Sequence, residues 1–420
     1  MSSPKIYYFD NNATTRIAPE VVSAMVPFLT EYWGNASSAY QFGAQIKRHL
    51  EVARERVAAL INADPKEIIF TSCGTESNNS AIHSALVLNP GKRHVITTAV
   101  EHSANINYGE FLSRRGYDVS YLPVEPDGSL DIHLLDKSIR PDTAIVSIMW
   151  ANNETGVVFP IEETAAICRS KGVPFHTDAV QVPGKLKIDV KAAGVDLLSL
   201  SAHKLHAPKG IGMLYLKKRT KFQPYVIGGH QERGRRGGTE SVADIVAFGR
   251  AAELALASLD DENTRVRALR DRLESGLLKV IPSTWRNGAR EPRLPNTTNI
   301  AFGFVEAEAI LMQLDQAGIC ASSGSACTTG SLEPSRVLTA MGVNPARARG
   351  SIRFSLGIYN TAEEVDYVLA QLPPMIARLR AISPLQPERP DSPRHQAESS
   401  RTKHKPAVAK SEKDRGPLKV

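Results

Sequence analysis

The sequence predicts an α/β fold in which a mainly parallel sheet is covered by helices and followed by a smaller α+β domain. Three observations lead there. Seven short runs are apolar enough to be buried on both faces, as central strands of a parallel sheet are. Stretches of helical length and periodicity separate the earlier ones, and strands alternating with helices imply crossover connections between parallel strands. After Gly238 the alternation stops, and long helical stretches lead into isolated strand-like runs.

The strand runs, in order, are EIIFT (67–71), HVITT (94–98), DVSYL (118–122), TAIVSIMW (143–150), VPFHT (173–177), DLLSL (196–200) and GMLYL (212–216). Helices are expected over 75–88, 103–113 and 161–170 between them, and over 19–33 and 44–62 before them. Beyond Gly238, helices are expected over 241–259, 263–280, 306–317 and 361–379, with strands in TTNIAFGF and RGSIRFSL. The expected division is an N-terminal segment (1–15), a large domain (16–260, its helices over 16–62 bridging to the small one), a small C-terminal domain (261–383) and a tail (384–420).

Composition limits the function. Apolar residues make up 42% and charged residues 23%, which supports a core without disulfides or metals. No apolar stretch approaches the ~20 residues that span a bilayer, and the N-terminus lacks a basic patch followed by an apolar core, so neither a membrane anchor nor a secretory signal is expected. Four cysteines, Cys73, Cys168, Cys320 and Cys327, form neither a disulfide framework nor a zinc spacing, and a reducing cytoplasm is the expected compartment. The net charge of +7 sits mostly in the tail, where 384–420 carry nine Lys/Arg against five Asp/Glu. A basic nucleic-acid-binding face is therefore not required. The tail is proline-rich and nearly devoid of large apolar residues, so it is expected to be disordered.

Ligands of an open parallel sheet lie beyond the carboxyl ends of its strands. Five strand exits here are polar or ionisable: SCGTESNNS, AVEHSAN, ANNETG, DAVQ and SAHKLHAPKG. Ser72–Glu76 offers free N–H groups at a helix start, either a phosphate site or a plain start capped by Thr75. Asp178 ends an apolar strand, where a carboxylate either caps a helix or holds a ring nitrogen protonated, and Gln181 follows it. Lys204 follows another apolar strand; partial desolvation there lowers an amine's pKa and fits it for Schiff-base chemistry. His102 can stack on a flat ring, relay a proton or simply pack. His203 and His206 lack a third partner of metal-ligand spacing. Cys327 lies in SSGSACTTGS, a polar loop suited to an exposed nucleophilic thiol, whereas Cys320 has apolar neighbours. Arg353 lies on an apolar strand and needs a carboxylate from substrate or protein.

With DNNATT (10–15), TSCGTESNN (71–79), VEHSA (100–104), WANNETG (150–156), HTDAVQ (176–181), SAHKLHAPKG (201–210), GGHQERGRRGGTE (228–240), ASSGSACTTGSLEPS (321–335) and IRFSLG (352–357), the chain resembles the cysteine desulfurases, pyridoxal-phosphate enzymes of fold type I and the class V aminotransferase family, of the nitrogen-fixation type. The resemblance runs from about residue 5 to 383. It implies a pyridoxal 5′-phosphate cofactor with Lys204 as its Schiff-base lysine, Asp178 at the pyridine nitrogen, Gln181 at the ring hydroxyl and His102 stacked on the ring. Gly74, Thr75, Ser201 and His203 would hold the phosphate, with Thr239 reaching it from the neighbouring subunit of a homodimer, and Ala202 would also contact the cofactor. Asn153 would contact the cofactor or the substrate carboxylate, beside Arg353, and Cys327 would form a persulfide and act as no more than a transient iron–sulfur ligand. L-Cysteine is the implied substrate and an iron–sulfur scaffold protein the implied acceptor, with nitrogenase as the destination. A selenocysteine lyase or another class V enzyme is the rival reading, and a basic non-enzymatic scaffold a remote one. Ala36, Tyr40 and Ala202 depart from the usual pattern of the family.

A chain ending at Ser383 should keep its melting temperature and its turnover, because the tail's composition offers nothing to pack against the core. Thermal unfolding and an activity assay on the shortened chain check this, and a large loss of either would make the tail structural.

Overall fold

The computed structural model describes residues 5–323 and 334–384. Cys327 and the tail from residue 385 lie outside the described residues. Twelve strands are found among them: β1 (Tyr7–Tyr8), β2 (Ile68–Thr71), β3 (His94–Thr98), β4 (Asp118–Leu122), β5 (Thr143–Ser147), β6 (Phe175–Asp178), β7 (Leu197–Ser201), β8 (Gly212–Leu216), β9 (Thr284–Asn287), β10 (Thr297–Phe302), β11 (Ile319–Cys320) and β12 (Ser351–Ser355).

The seven runs singled out in the sequence are the seven strands of the large sheet, in the order β2-β8-β7-β6-β5-β3-β4. Neighbours from β7 through β4 pair parallel. β8 runs antiparallel to both β2 and β7. β2 therefore points the same way as β7, and the mainly parallel α/β sheet is borne out. Every residue of β3, β5, β6, β7 and β8 is buried. β4 is the exception: it lies at the sheet edge and is partly exposed. Two further expectations need correcting. The run 143–150 is a strand only to Ser147, although the N–H groups of Ile148 and Trp150 still reach the carbonyls of His176 and Asp178. The helix expected over 19–33 is broken into Pro19–Met25 and Pro27–Thr30, because Pro27 has no N–H to continue the turn and its ring crowds the one before.

The helices Ser103–Ser113 and Ile161–Ser170 have the expected bounds, and Gly74–Leu88 starts one residue early. The second sheet is antiparallel, β12-β10-β9. Its edge strand β9 has the polar sequence TWRN and no strand signal. The helices Arg267–Val280, Ala307–Gln316 and Ala362–Ile382 accompany it and share a separate core with Ile300, Ile352 and Phe354. Phe9, from the N-terminal segment, is buried in that same core. The segment then crosses to the large sheet: Asp10 bridges to Ser355, and the Thr15 N–H reaches the carbonyl of His203.

Helix Gln41–Leu60 packs along helix Val242–Ala257, and the close point is Gly249. A Cβ there would stand 2.7 Å from Ala53 Cα and 3.1 Å from Ala53 O, so backbone meets backbone. Gly-to-Ala in a helix usually stabilises by about 0.5–1 kcal/mol. Gly249→Ala should instead cost about 1–3 kcal/mol, since this contact has no room for a methyl. Thermal unfolding reads the sign directly, and a raised melting temperature would refute the packing argument.

Candidate active site

Because β2, β3, β5, β6 and β7 run in one direction, their carboxyl ends lie on one edge. A cavity of about 400 Å³ opens there, lined from all five exits and from the N-terminal segment and β12. Gly74, Thr75, His102, Asn153, Asp178, Gln181, Ser201, His203, Lys204 and Arg353 all face it.

Asp178 is the last residue of β6 and is almost fully buried. Its Oδ2 accepts from Asn78 Nδ2 at 2.6 Å and its Oδ1 from the Val180 N–H at 3.0 Å. Asn78 was not singled out in the sequence. It lies in the TSCGTESNN motif, but only the folded helix Gly74–Leu88 brings it to Asp178. Gln181 donates from Nε2 to the Asn12 carbonyl at 3.0 Å.

The helix start at Gly74 is capped by Cys73, whose Sγ accepts from the Glu76 N–H at 3.5 Å. Thr75 is therefore not the cap. Gly74 must be glycine, since a Cβ would lie 2.7 Å from Val180 Cγ2. Glu76 holds Arg236 through both oxygens, at 3.0 and 3.1 Å, and so ties the GGHQERGRRGGTE segment to this helix.

His102 caps the helix Ser103–Ser113, and its Nδ1 accepts from the Ala104 N–H at 3.1 Å. That bond leaves the ring proton on Nε2. Burial lowers its pKa and keeps the ring neutral, with Asp178 pulling the other way.

Lys204 closes a short 3₁₀ turn, Ala202–Lys204, directly after β7. Its Nζ donates to the carbonyls of Asn12 at 2.5 Å and Ala13 at 2.7 Å. Burial brings its pKa down to about 7, helped by the charges of Arg353 and Lys185 and opposed by Asp10 and Asp178. His203 is lowered to about 4 by burial and then by Lys204; its Nδ1 lies 3.1 Å from Thr14 Oγ1. His206 turns elsewhere, its Nδ1 at 2.9 Å from the Arg16 carbonyl, so the two histidines do not share a ligand.

Arg353, on β12, is 2% exposed. It donates to the Asn153 carbonyl at 2.9 Å and to Asp10 Oδ1 at 2.7 Å. The carboxylate it needs thus comes, in part, from the protein. Its Nε has no partner among the described residues, and neither have Asn78 Oδ1 and Gln181 Oε1. Two orphan acceptors and one orphan donor around one cavity are what a polar ligand carrying both hydrogen-bond donors and an acceptor would satisfy.

Some expected residues stand elsewhere. Ala202 is fully buried in the large core, and its side chain does not face the cavity. Thr239 is exposed and lines a different recess with Arg236 and Gly238. Ala36 and Tyr40 do not line the cavity. Among the other thiols, Cys168 is buried and pushed up to about 12, and Cys320 is half-buried on β11 and also raised by burial. The described residues that flank the Cys327 segment are both fastened beside the cavity. Ser322 exchanges backbone hydrogen bonds with Arg353, at 3.2 and 2.6 Å. The Ser335 hydroxyl donates at 2.5 Å to Glu154, the neighbour of Asn153.

The family model of the class-V aminotransferases matches residues 7–368. "Cysteine desulfurase 2" of Trichormus variabilis is 54% identical over 386 residues, covering 92% of this chain and 97% of its own. "Cysteine desulfurase NifS" of Azotobacter vinelandii is 53% identical over 378 residues, covering 90% and 94%. Among solved structures, a "NifS-like protein" superposes with a TM-score of 0.84 at 38% identity, over 89% of this chain and 100% of that one. "SspA in complex with cysteine" superposes with a TM-score of 0.76 at 35% identity, over 84% and 99%.

Lys204 should be the most reactive accessible amine of the ligand-free chain at neutral pH. Its acylation rate should rise with pH to a midpoint near 7, because the unprotonated amine is the nucleophile and burial has brought its pKa there. Peptide mass spectrometry after brief labelling across the pH range measures this, and a midpoint near an ordinary lysine's would refute the desolvation argument.

Proposed function

This chain belongs to the class-V aminotransferase family and is a cysteine desulfurase of it, and we propose that its cleft binds pyridoxal 5′-phosphate and L-cysteine and passes the substrate sulfur to Cys327. The observation that carries this reading is Lys204: a desolvated amine whose pKa burial brings down to about 7, lining one cleft with the buried Asp178 carboxylate and the buried Arg353 guanidinium.

The bound cofactor supplies an electron sink for the bonds at the substrate's α-carbon. Lys204 would hold the cofactor, and an amine with a pKa of about 7 is suited to take and return a proton at the substrate's α-carbon. Asp178, held by Asn78 and the Val180 N–H, would face the pyridine nitrogen. Gln181 would serve the ring hydroxyl, and His102 would stack on the ring and assist proton transfer. Gly74, Thr75, Ser201 and His203 hold the phosphate, helped by the open N–H groups of the helix start. Thr239 of the partner subunit completes that grip in a homodimer, which accords with its exposure in a single chain.

Asn153 and Arg353 receive the substrate carboxylate. The Cys327 thiolate attacks the substrate sulfur, the C–S bond breaks, and its electron pair stays with carbon, which is then protonated. The sum is L-cysteine plus a thiol giving L-alanine plus a persulfide, with no external oxidant. The persulfide sulfur then passes to an iron–sulfur scaffold protein for cluster assembly serving nitrogenase, an assignment supported by the name of the Azotobacter relative. A thiol that must stay reduced between turnovers places the reaction in the cytosol.

Cys327→Ala should keep the folded state and the bound cofactor's absorption but stop alanine formation from cysteine. Cys320→Ala and Cys73→Ala should still form alanine. Quantifying alanine and protein-bound sulfane sulfur decides it: near-normal alanine from Cys327→Ala would show that the sulfur goes elsewhere.

A further inference from the structure

The start of helix Gly74–Leu88 already holds an anion of its own. In its first turn the Glu76 N–H goes to Cys73 Sγ at 3.5 Å and the Ser77 N–H to the Cys73 carbonyl at 3.2 Å. The N–H groups of Gly74 and Thr75 find no acceptor among the described residues, and both residues line the cavity. A helix end with open N–H groups attracts negative charge. The Glu76 side chain folds back over that same turn, and its Oε2 accepts from the Ser72 N–H at 2.8 Å. Glu76 does not line the cavity, so its carboxylate sits on the helix end without entering the cleft. A fixed carboxylate there would repel a phosphate held by the next two N–H groups.

Arg236 answers that charge. Its Nε meets Glu76 Oε1 at 3.0 Å and its Nη2 meets Oε2 at 3.1 Å. The Glu76 side chain is 9% exposed and that of Arg236 is 25% exposed, so water screens the pair only in part. Burial pushes the Glu76 carboxyl up, but the bonds from Arg236 and Ser72 outweigh it and hold the group below the usual carboxylate range. The segment that carries Arg236 has other moorings. Glu232 takes both terminal nitrogens of Arg54 at 2.7 Å. Arg233 and Arg235 donate to the Lys66 carbonyl at 3.2 and 2.9 Å, and the Gly237 N–H reaches the Val226 carbonyl at 2.9 Å. Loss of the Arg236 side chain therefore removes a charge and leaves the segment in place.

We propose that Arg236 sets the phosphate affinity of the cleft by cancelling the charge of Glu76 at the helix end that receives the phosphate. The inference rests on the reading of Gly74 and Thr75 as the phosphate cradle. Glu76 is the positioning residue, which fixes the turn through Ser72, and Arg236 keeps that carboxylate from repelling the ligand.

The test compares dissociation constants of the cofactor-stripped full chain for pyridoxal 5′-phosphate and for pyridoxal, which lacks the phosphate, both followed by absorption. Arg236→Met should weaken pyridoxal 5′-phosphate binding about tenfold, since it leaves a bare carboxylate at the helix end. Pyridoxal binding should stay unchanged. Glu76→Gln keeps an acceptor for Ser72 and leaves Arg236 unopposed, so it should tighten pyridoxal 5′-phosphate binding about threefold. The double variant carries neither charge and should return to near the wild-type affinity, a strongly non-additive result for two groups in contact. Arg236→Lys keeps the charge and should stay near wild type. A pair that only braces the fold would give the opposite pattern, with both single variants weaker and the double no better. That pattern, or equal weakening of both ligands by Arg236→Met, would overturn the proposal. Where Arg236→Met does not fold, Glu76→Gln decides alone, and an affinity no tighter than wild type refutes it. A wild-type chain that binds pyridoxal 5′-phosphate no better than pyridoxal would refute the cradle reading itself, and this inference with it.

Discussion

The cleft depends on one carbonyl group, that of Asn12. It accepts from Lys204 Nζ and from Gln181 Nε2, so the reactive amine and the ring-facing amide are registered on the same atom. Asn12 is itself tied down on every side. Its side chain donates to Thr297 Oγ1 and to the Asn153 carbonyl and accepts from Asn296, while its N–H donates to Ser355 Oγ. Those partners belong to the second sheet and its flank, and to the exit of β5. The DNNATT strap is thus the joint between the two sheets, and the geometry of the cleft follows from it. Nearly all of this network is buried, and a buried network is costly if any member is left unpaired, which is why it specifies one arrangement.

The same joint explains how a lysine becomes a base at neutral pH without an unusual charge environment. Desolvation is the largest influence on Lys204 and sets the direction; the cations Arg353 and Lys185 add to it, and the carboxylates Asp10 and Asp178 oppose it. Asp10 and Asp178 are also not spare charges. Asp10 is engaged with Arg353, and Asp178 with Asn78 and the Val180 N–H. Each carboxylate thus does its work on another group and only incidentally favours a protonated Lys204. Such a site stays charged where it must bind anions and neutral where it must accept a proton.

The large sheet was legible in the sequence because β-branched and apolar runs of strand length are hard to place anywhere else in a soluble chain. The edges were less legible. β9 has no strand signal because its one large apolar residue, Trp285, is exposed and its buried residue, Asn287, is polar, while the fully buried reading of β4 fails because β4 lies partly exposed at the sheet edge. The break at Pro27 follows from a residue in plain view, but helical periodicity on both sides hides it. In the cleft, Lys204, Asp178 and His102 were found because each sits at a strand exit, a position that has meaning before folding. Asn78 and Asp10 act only through partners 100 and 343 residues away, and spacing along the chain carries no trace of that. Ala202 was carried in by its neighbours in the motif, yet its side chain points into the core. Thr239 stands exposed in the chain, away from the cleft, lining a different recess.

The anchors of the Cys327 segment bear on how substrate binding and sulfur transfer are linked. Ser322 is bonded to the backbone of Arg353, and Ser335 to Glu154, next to the Asn153 carbonyl that Arg353 also contacts. Arg353 and the described residues on both sides of the Cys327 segment therefore belong to one bonded cluster. Glu154 is buried and its pKa is raised by burial, with the Ser335 hydroxyl and the charge of Arg353 holding it back. Cys327 is five residues from Ser322, so chain length alone gives it a reach of roughly 17 Å from that anchor. Under the proposed function Arg353 would orient the substrate carboxylate, and a Cys327 thiol on so short a tether would then be measured from the same residue.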